Sequence, residues 1–162
     1  MSIPLRQYGA DDRAPDGRTP RRCRVLWDRG AASPAEGRRA ASGFLSELQK
    51  SGHAALPDRV VGDVRLVVSE LVTNALRHAP GACALQVDLS RDGRAVRVAV
   101  QDPSSRAPRI QPPDARRIGG HGLELVRAVS RSVTVRPSPY GKQVTAEIAL
   151  SQPTDTDAAP GQ

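Results

Sequence analysis

Apolar residues in the first half of the chain recur at steps of three and four, a spacing typical of amphipathic helices. At about 100° per residue, the apolar positions of residues 57–79 fall on one side of a helix. These positions are Val60, Val64, Val67, Val68, Leu71 and Ala75. The same spacing predicts helices over 34–50 and after residue 122. Three helices are therefore expected.

The start of the first predicted helix carries capping signals. Ser33 can cap the helix, Pro34 suits its first turn, and Glu36 can reach back to the backbone amide of the cap. Gly52 follows as a stop signal, and Pro80 ends the second helix in the same way.

Other stretches alternate apolar and polar residues, which is the period of a half-buried strand. Residues 85–89 and 96–100 form two such runs on either side of Asp92 and Gly93, a pair that favours a hairpin turn. Further strands are predicted at 23–27, 132–135 and 143–150. Helices and hairpins in one short chain indicate an α+β domain.

Length and composition limit the chain to one folded domain. Of its 162 residues, 1–22 and 151–162 have the composition of disordered tails, which leaves a domain at 23–150. Aromatic residues make up only 2%, so the core is expected to consist of Val, Leu, Ile and Ala. No apolar run approaches a membrane span and no signal peptide is recognisable, so we expect a cytoplasmic protein.

The charge balance favours anionic partners. The net charge is +7 and the pI is near 10.6, which suits a nucleotide, a nucleic acid or an acidic protein surface. The shortage of aromatic residues and the lack of a recognition motif disfavour direct nucleic-acid binding. Cys23, Cys83 and the scattered histidines match no metal-ligand spacing.

Three polar residues lie along the margin of the second predicted helix. Glu70 and Asn74 are one turn apart, and Arg77 follows three residues later. They would place a carboxylate, an amide and a guanidinium at the edge of the core, where a ligand in a cleft would meet them. Taken alone, they are more simply explained as boundary residues that keep an amphipathic helix soluble.

Asp102 is in register with the apolar row of its predicted strand, so its carboxylate is expected to face the core. A buried carboxylate needs hydrogen-bond donors, because leaving it unpaired costs several kcal/mol. The alternative is a turn residue before Pro103 that satisfies its own backbone.

A long loop, residues 103–118, precedes Gly119, Gly120 and Gly122. Glycines just before a helix let backbone amides approach an anion. The spacing is neither a Rossmann fingerprint, because Leu125 stands where its third glycine belongs, nor a Walker A loop, because no Gly-Lys pair is followed by Ser or Thr.

Taken in order, these motifs resemble the histidine-kinase-like ATPase superfamily, which includes gyrase and sensor kinases. The phrase Glu-Leu-Val-Thr-Asn-Ala-Leu-Arg-His-Ala at 70–79 is most similar to the small anti-sigma-factor serine kinases and related ATP-binding regulators of actinobacteria. The resemblance covers about 23–150. It implies a two-layer α/β sandwich of the Bergerat type, with a mostly antiparallel sheet covered on one face by about three helices.

The resemblance also implies ATP and Mg²⁺ as cofactors. It makes Asn74 the magnesium ligand, Arg77 a source of positive charge at the phosphates, and Glu70 the general base. It makes Asp102 the acceptor for the adenine amino group. The other implied nucleotide-binding residues are Ser104, Gly119, Gly120, Gly122 and Leu123.

The chain departs from the superfamily in two places. Ser104 and Arg106 replace glycines that many relatives have after the adenine-binding aspartate, which bears on how closely the backbone approaches the base. Lys142 and Gln143 stand where Gly-Thr would often continue, which removes a hydroxyl near the base.

Two hypotheses follow. The leading one is a kinase that phosphorylates a serine of an antagonist protein and so controls a sigma factor, with a homodimer implied by the resemblance alone. The alternative is a module that binds ATP with little or no turnover and sequesters a transcription regulator.

Overall fold

A computed structural model of the chain describes residues 5–6, 22–79, 81–106 and 121–151. In chain order its elements are β1 (Leu5–Arg6), β2 (Arg22–Trp27), α1 (Pro34–Lys50), α2 (Asp58–His78), β3 (Cys83–Leu89), β4 (Ala95–Asp102), α3 (Gly122–Val129), β5 (Ser132–Ser138) and β6 (Gly141–Ala149). Each helix and strand predicted from the periodicity is present within this part of the chain.

The described strands form one six-stranded sheet in the order β1-β2-β3-β4-β6-β5. Every neighbouring pair is antiparallel. Because β4 and β5 both run antiparallel to β6, they are parallel to each other, and α3 lies in the crossover that joins them. The predicted α+β class and antiparallel sheet are confirmed.

The three described helices cover one face of the sheet and build the core with it. The apolar stripe of α2, including Val64, Val67 and Val68, is fully buried, and so are alternate residues of the strands such as Val87 and Val98. Removing this apolar surface from water is the main force that holds helices and sheet together. The core is largely Val, Leu, Ile and Ala, as the composition predicts.

The N-terminus of α1 differs from the predicted capping box in one half. Ser33 Oγ accepts a hydrogen bond from the backbone N–H of Glu36 at 3.3 Å, as expected. The Glu36 carboxylate, however, accepts the indole N–H of Trp27 at 2.9 Å instead of reaching back to the cap. Trp27 is buried and its indole needs an acceptor, so it takes the carboxylate.

The β3–β4 hairpin confirms the turn predicted at Asp92 and Gly93. Gly93 has a φ of 70°, in the left-handed region that glycine adopts without strain. The Asp92 carboxylate accepts hydrogen bonds from the Ser90 hydroxyl at 2.6 Å and from the Arg94 backbone N–H at 3.0 Å. These contacts fix the register that carries Asp102 to the end of β4.

The prediction of no regular structure in 1–22 is wrong at β1, where Leu5 pairs with Leu26 and Arg6 with Val25. The edge of β2 offers unpaired backbone groups that a short extended segment can satisfy. Composition does not reveal such a pairing because it depends on the neighbouring strand. The rest of both predicted tails, apart from Arg22 and Ser151, lies outside the described residues.

Candidate functional site

Asp102 ends β4 with its carboxylate inside the protein. Its side chain is 4% exposed and continues the row of Val96, Val98 and Val100, as the alternation predicts. Its cross-strand neighbour on β6 is Lys142. Lys142 Nζ donates to Asp102 Oδ1 at 3.0 Å and is itself 6% exposed, so this is a buried ion pair.

The two oxygens of Asp102 have different surroundings. Oδ1 accepts a second hydrogen bond, from the backbone N–H of Ser104 at 2.9 Å, which closes a turn over Pro103. Asp102 is therefore both a core-facing carboxylate and a turn residue. No residue in the described part of the chain donates to Oδ2, which leaves one charged acceptor for another group.

Two glycines pack directly against the end of β4. Gly141, with a φ of 142°, lies so close to the backbone of Asp102 and Pro103 that a Cβ there would collide with the Asp102 carbonyl oxygen. Gly81, three residues after α2 ends, lies against the ring of Pro103. The C-terminal end of α2 and the β5–β6 turn therefore both adjoin the strand end that holds Asp102.

Glu70 lies against the first residue of α3. A Cβ built on Gly122 would collide with Glu70 Oε2 and stand 3.2 Å from its Cδ, so the Glu70 carboxylate lies directly against this glycine. A negative charge at this end of a helix is stabilised by the unpaired amides and the dipole of the first turn. Glu70 is half-buried and accepts no hydrogen bond from the residues the structure describes.

Asn74 and Arg77 follow Glu70 along the same edge of α2. Asn74 is half-buried and Arg77 is exposed in the last turn of the helix. Neither has a hydrogen bond or ion pair with any described residue. Their polar atoms are thus available to a ligand, which is the arrangement expected of a binding edge.

The remaining predicted residues divide between what the structure describes and what it does not. Leu123 is partly buried and packs on the core at the start of α3. Gly119 and Gly120 lie outside the described residues. The structure brings Glu70 to Gly122 and Asp102 to Ser104, and it gives no direct contact between these two pairs.

A cavity of about 760 Å³ opens at the ends of β2, β3 and β4. Trp27, Cys83, Gln101, Asp102 and Tyr140 are among the residues that line it. Its size is within the range of small-molecule sites. Glu70, Asn74 and Arg77 do not line this cavity, so it provides space at the Asp102 end alone.

Sequence reasoning named Lys142 only as a departure from the family and Cys83 only as a cysteine without metal-ligand spacing, and it did not predict that both lie beside Asp102. Lys142 continues the buried row of β6 that contains Val144, Ala146 and Ile148, and this alternation is the signal that predicts an inward-facing lysine. Burial, and then the negative charge of Asp102, raise the pKa of the Cys83 thiol to about 12. The thiol is therefore neutral and unreactive at physiological pH.

Within the described part of the chain, no group of three or more His, Cys, Asp or Glu side chains could hold a metal ion. A cation here would depend on oxygens such as the Asn74 amide and on those of a bound phosphate, which suits Mg²⁺. No helix among the described residues is long and apolar enough to cross a membrane.

The chain combines a helix-covered antiparallel sheet with an inward-facing aspartate at a strand end and a glycine at the start of α3. The sequence pattern of the histidine kinase-like ATPase domain matches residues 25–148, and the chain belongs to this family. The chain is therefore an ATP-binding, kinase-like module.

Among solved structures, the chain is similar to the histidine kinase domain of a blue-light activated histidine kinase from Erythrobacter litoralis. The two are 26% identical, with a TM-score of 0.44, over 74% of this chain and 61% of that one. The chain thus spans less than two thirds of that domain's length. No curated protein matches the chain.

Proposed function

We propose that this chain is a cytoplasmic, Mg²⁺-ATP-dependent serine kinase of the anti-sigma type. It would phosphorylate a serine of an antagonist protein and thereby control a sigma factor. The observation that carries the proposal is the half-buried Glu70 carboxylate, which has no donor among the described residues and lies against the glycine that opens α3.

The base end of the site is formed by Asp102. Its Oδ2 has no donor from the described residues, and the adenine amino group supplies one. A hydrogen bond to a charged acceptor is among the strong ones in proteins, so this contact fixes the base. The cavity of about 760 Å³ beside Asp102 provides room for it.

The phosphate end is formed by α2 and the start of α3. Asn74 offers an amide oxygen as a ligand for Mg²⁺, and the exposed guanidinium of Arg77 adds positive charge. Gly122 allows the backbone at the helix N-terminus to approach an anion. A magnesium ion held by Asn74 and the phosphates would neutralise part of the phosphate charge.

Glu70 acts as the general base. It accepts the proton of the serine hydroxyl as that oxygen attacks the γ-phosphorus and ADP leaves with the electrons of the broken bond. Its position beside the first residue of α3 and within one turn of Asn74 places it next to the phosphate-binding edge.

The protein partners follow from the family resemblance and the net charge of +7. A sigma factor and an antagonist with acidic surfaces would both be attracted to a basic chain of this kind. We propose that the kinase acts as a homodimer.

The second candidate is an ATP-binding module without turnover that sequesters a transcription regulator. The observation that favours it is that Glu70, Asn74 and Arg77 do not line the cavity at Asp102, so a nucleotide can bind there apart from the residues proposed for transfer. Nucleotide binding by such a module would regulate its partner without phosphorylation.

The test compares Glu70→Gln with the wild type in two measurements: ATP binding by calorimetry, and transfer of labelled phosphate to antagonist proteins. We expect ATP affinity to change by less than about threefold and transfer to fall by about 100-fold, the share of general base catalysis. Glu147→Gln is the matched control, because Glu147 pairs with Arg131 on the other face of the sheet.

Each result has a distinct meaning. Equal transfer by Glu70→Gln and the wild type would remove Glu70 from catalysis. A wild type that binds ATP and transfers nothing would establish the second candidate. A wild type that binds no nucleotide would end both.

A further inference from the structure

We propose that Lys142 reads the nucleotide base together with Asp102. In this arrangement Asp102 Oδ2 accepts from the adenine amino group, and Lys142 Nζ donates to a ring nitrogen beside that group. The inference rests on the proposed function, since it requires a purine nucleotide at Asp102.

The first observation is the position of Lys142 itself. It stands in the inward row of β6, where the following members are Val144, Ala146 and Ile148. Lysine is almost never fully buried unless it is paired. The adjacent residue, Gln143, points to the other face of the sheet. A lysine that served only for solubility would be expected on that face and not on the helix face.

The second observation is that the ion pair leaves hydrogen-bond donors of Lys142 and one acceptor oxygen of Asp102 unused. An ammonium group has three donors, and Lys142 directs one of them to Asp102 Oδ1 at 3.0 Å. It makes no other hydrogen bond with the residues that the structure describes. Asp102 Oδ2 is likewise without a described donor. A charged donor and a charged acceptor thus stand side by side with unused capacity.

The hydrogen-bonding groups of adenine match those of Asp102 and Lys142. Its amino group donates, and the ring nitrogens on either side of it accept. Guanine has a carbonyl in place of the amino group, so in the same pose it would set an oxygen against the Asp102 carboxylate. The family's usual hydroxyl near the base can donate or accept, whereas an ammonium can only donate. Lys142 therefore makes the site select a base that presents a hydrogen-bond acceptor at this position.

The third observation is that the pair is held in place before any ligand arrives. Gly141 packs on the backbone of Asp102 and Pro103 so closely that a Cβ would not fit. The next residue, Lys142, is thereby kept opposite Asp102 in the β4–β6 register. A donor fixed in this way loses little conformational entropy on binding.

The test pairs base analogues with substitutions, using calorimetry on the full chain with Mg²⁺ present. The ligands are ATP, 1-deaza-ATP and 7-deaza-ATP, each analogue lacking one ring nitrogen next to the amino group. For the wild type we expect one of the two analogues to bind roughly tenfold more weakly than ATP, the effect of losing one charged hydrogen bond.

The same comparison is made for Lys142→Met, with Arg97→Met as the matched control. Arg97 belongs to the ion pair on the other face of the sheet. Lys142→Met is expected to bind ATP about tenfold more weakly, and to bind that analogue no more weakly than ATP. Arg97→Met is expected to distinguish the analogue as the wild type does. Should Lys142→Met fail to fold, Lys142→Val replaces it, because valine suits a strand and has no hydrogen-bond donor in its side chain.

Three results decide the inference. Equal binding of ATP and both analogues by the wild type overturns it, and this result needs no variant. Tighter ATP binding by Lys142→Met than by the wild type also overturns it, because Lys142 would then be competing with the base for Asp102. A wild type that binds none of the three ligands contradicts the proposed function itself.

Discussion

The sheet carries a cross-strand pair of a carboxylate and a cation on each of its faces. On the open face, Arg97 Nε and Nη2 donate to the two oxygens of Asp88 at 2.9 and 2.8 Å, and the Gln86 amide donates at 3.2 Å. On the helix face, Lys142 and the Ser104 backbone both donate to one oxygen of Asp102. Both oxygens of Asp88 accept hydrogen bonds from described residues, whereas only one oxygen of Asp102 does.

Under the proposed function, this difference separates a structural ion pair from one that also binds the ligand. Arginine matches a carboxylate with a planar fork of donors, so the Asp88 pair joins β3 to β4 and leaves nothing for a ligand. The hydrogen bond with Asp88 also raises the pKa of Arg97. Lysine offers a single point of charge, so the Asp102 pair retains a free oxygen deep in the protein.

The largest expected difference between the two pairs is in folding stability. Without nucleotide, Lys142→Met should lower the free energy of unfolding by about 3 kcal/mol, because it leaves the 4% exposed Asp102 without its countercharge. Arg97→Met should cost less, about 1 to 2 kcal/mol: the Asp88 side chain is only 10% exposed, but Arg97 is 37% exposed, so water reaches the pair, and the Gln86 amide still donates to Asp88. Urea denaturation of both variants measures this. Equal losses in the free energy of unfolding would show that the two ion pairs contribute equally to stability.

The second difference is in ATP affinity. Asp102→Asn removes the charged acceptor and should weaken ATP binding by roughly 10- to 100-fold, the range for a hydrogen bond to a charged group. Asp88→Asn should change the Kd by less than about twofold, because Asp88 uses both oxygens within the sheet. Calorimetry gives both values, and circular dichroism confirms that each variant is folded. A comparable loss in Asp88→Asn would contradict the division into structural and binding pairs.

A smaller effect concerns Cys83, whose thiol has a pKa raised to about 12 by burial and by Asp102. The folded protein holds this proton more tightly than the unfolded chain, whose thiol has an ordinary pKa of 9.0. Cys83 should therefore contribute full stability below pH 9 and lose it as the pH rises toward 12, by at most about 1.4 kcal/mol per pH unit.

Urea denaturation of the wild type and Cys83→Ala between pH 8 and about 10.5 isolates that contribution. The stability of the wild type should decline more steeply than that of the variant over this interval. Parallel declines would mean that the thiol is not held neutral beside Asp102.

The local patterns predicted much of this fold. The spacing along α2 predicts its buried stripe and its polar edge, and the alternation along β4 predicts the inward-facing Asp102. Both succeed because each depends only on the geometry of one element. The hairpin turn at Gly93 was predictable for the same reason.

The contacts between distant elements were not predictable. Lys142 meets Asp102 only because β6 pairs with β4 in one register, and that register depends on packing across the sheet. Glu36 was expected to close a capping box, but the Trp27 indole competes for its carboxylate. The contact of Glu70 with Gly122 likewise depends on how α2 packs on α3.

Gly141 restricts which positions at this site can be substituted. The gap between the two strand ends has room for a hydrogen atom and nothing larger, so any other residue there would push β6 away from β4. Substitution of Lys142 changes the partner of Asp102, whereas substitution of Gly141 changes the spacing of the two strands. Anyone who redesigns the base preference of this domain should therefore vary the lysine and leave the glycine before it untouched.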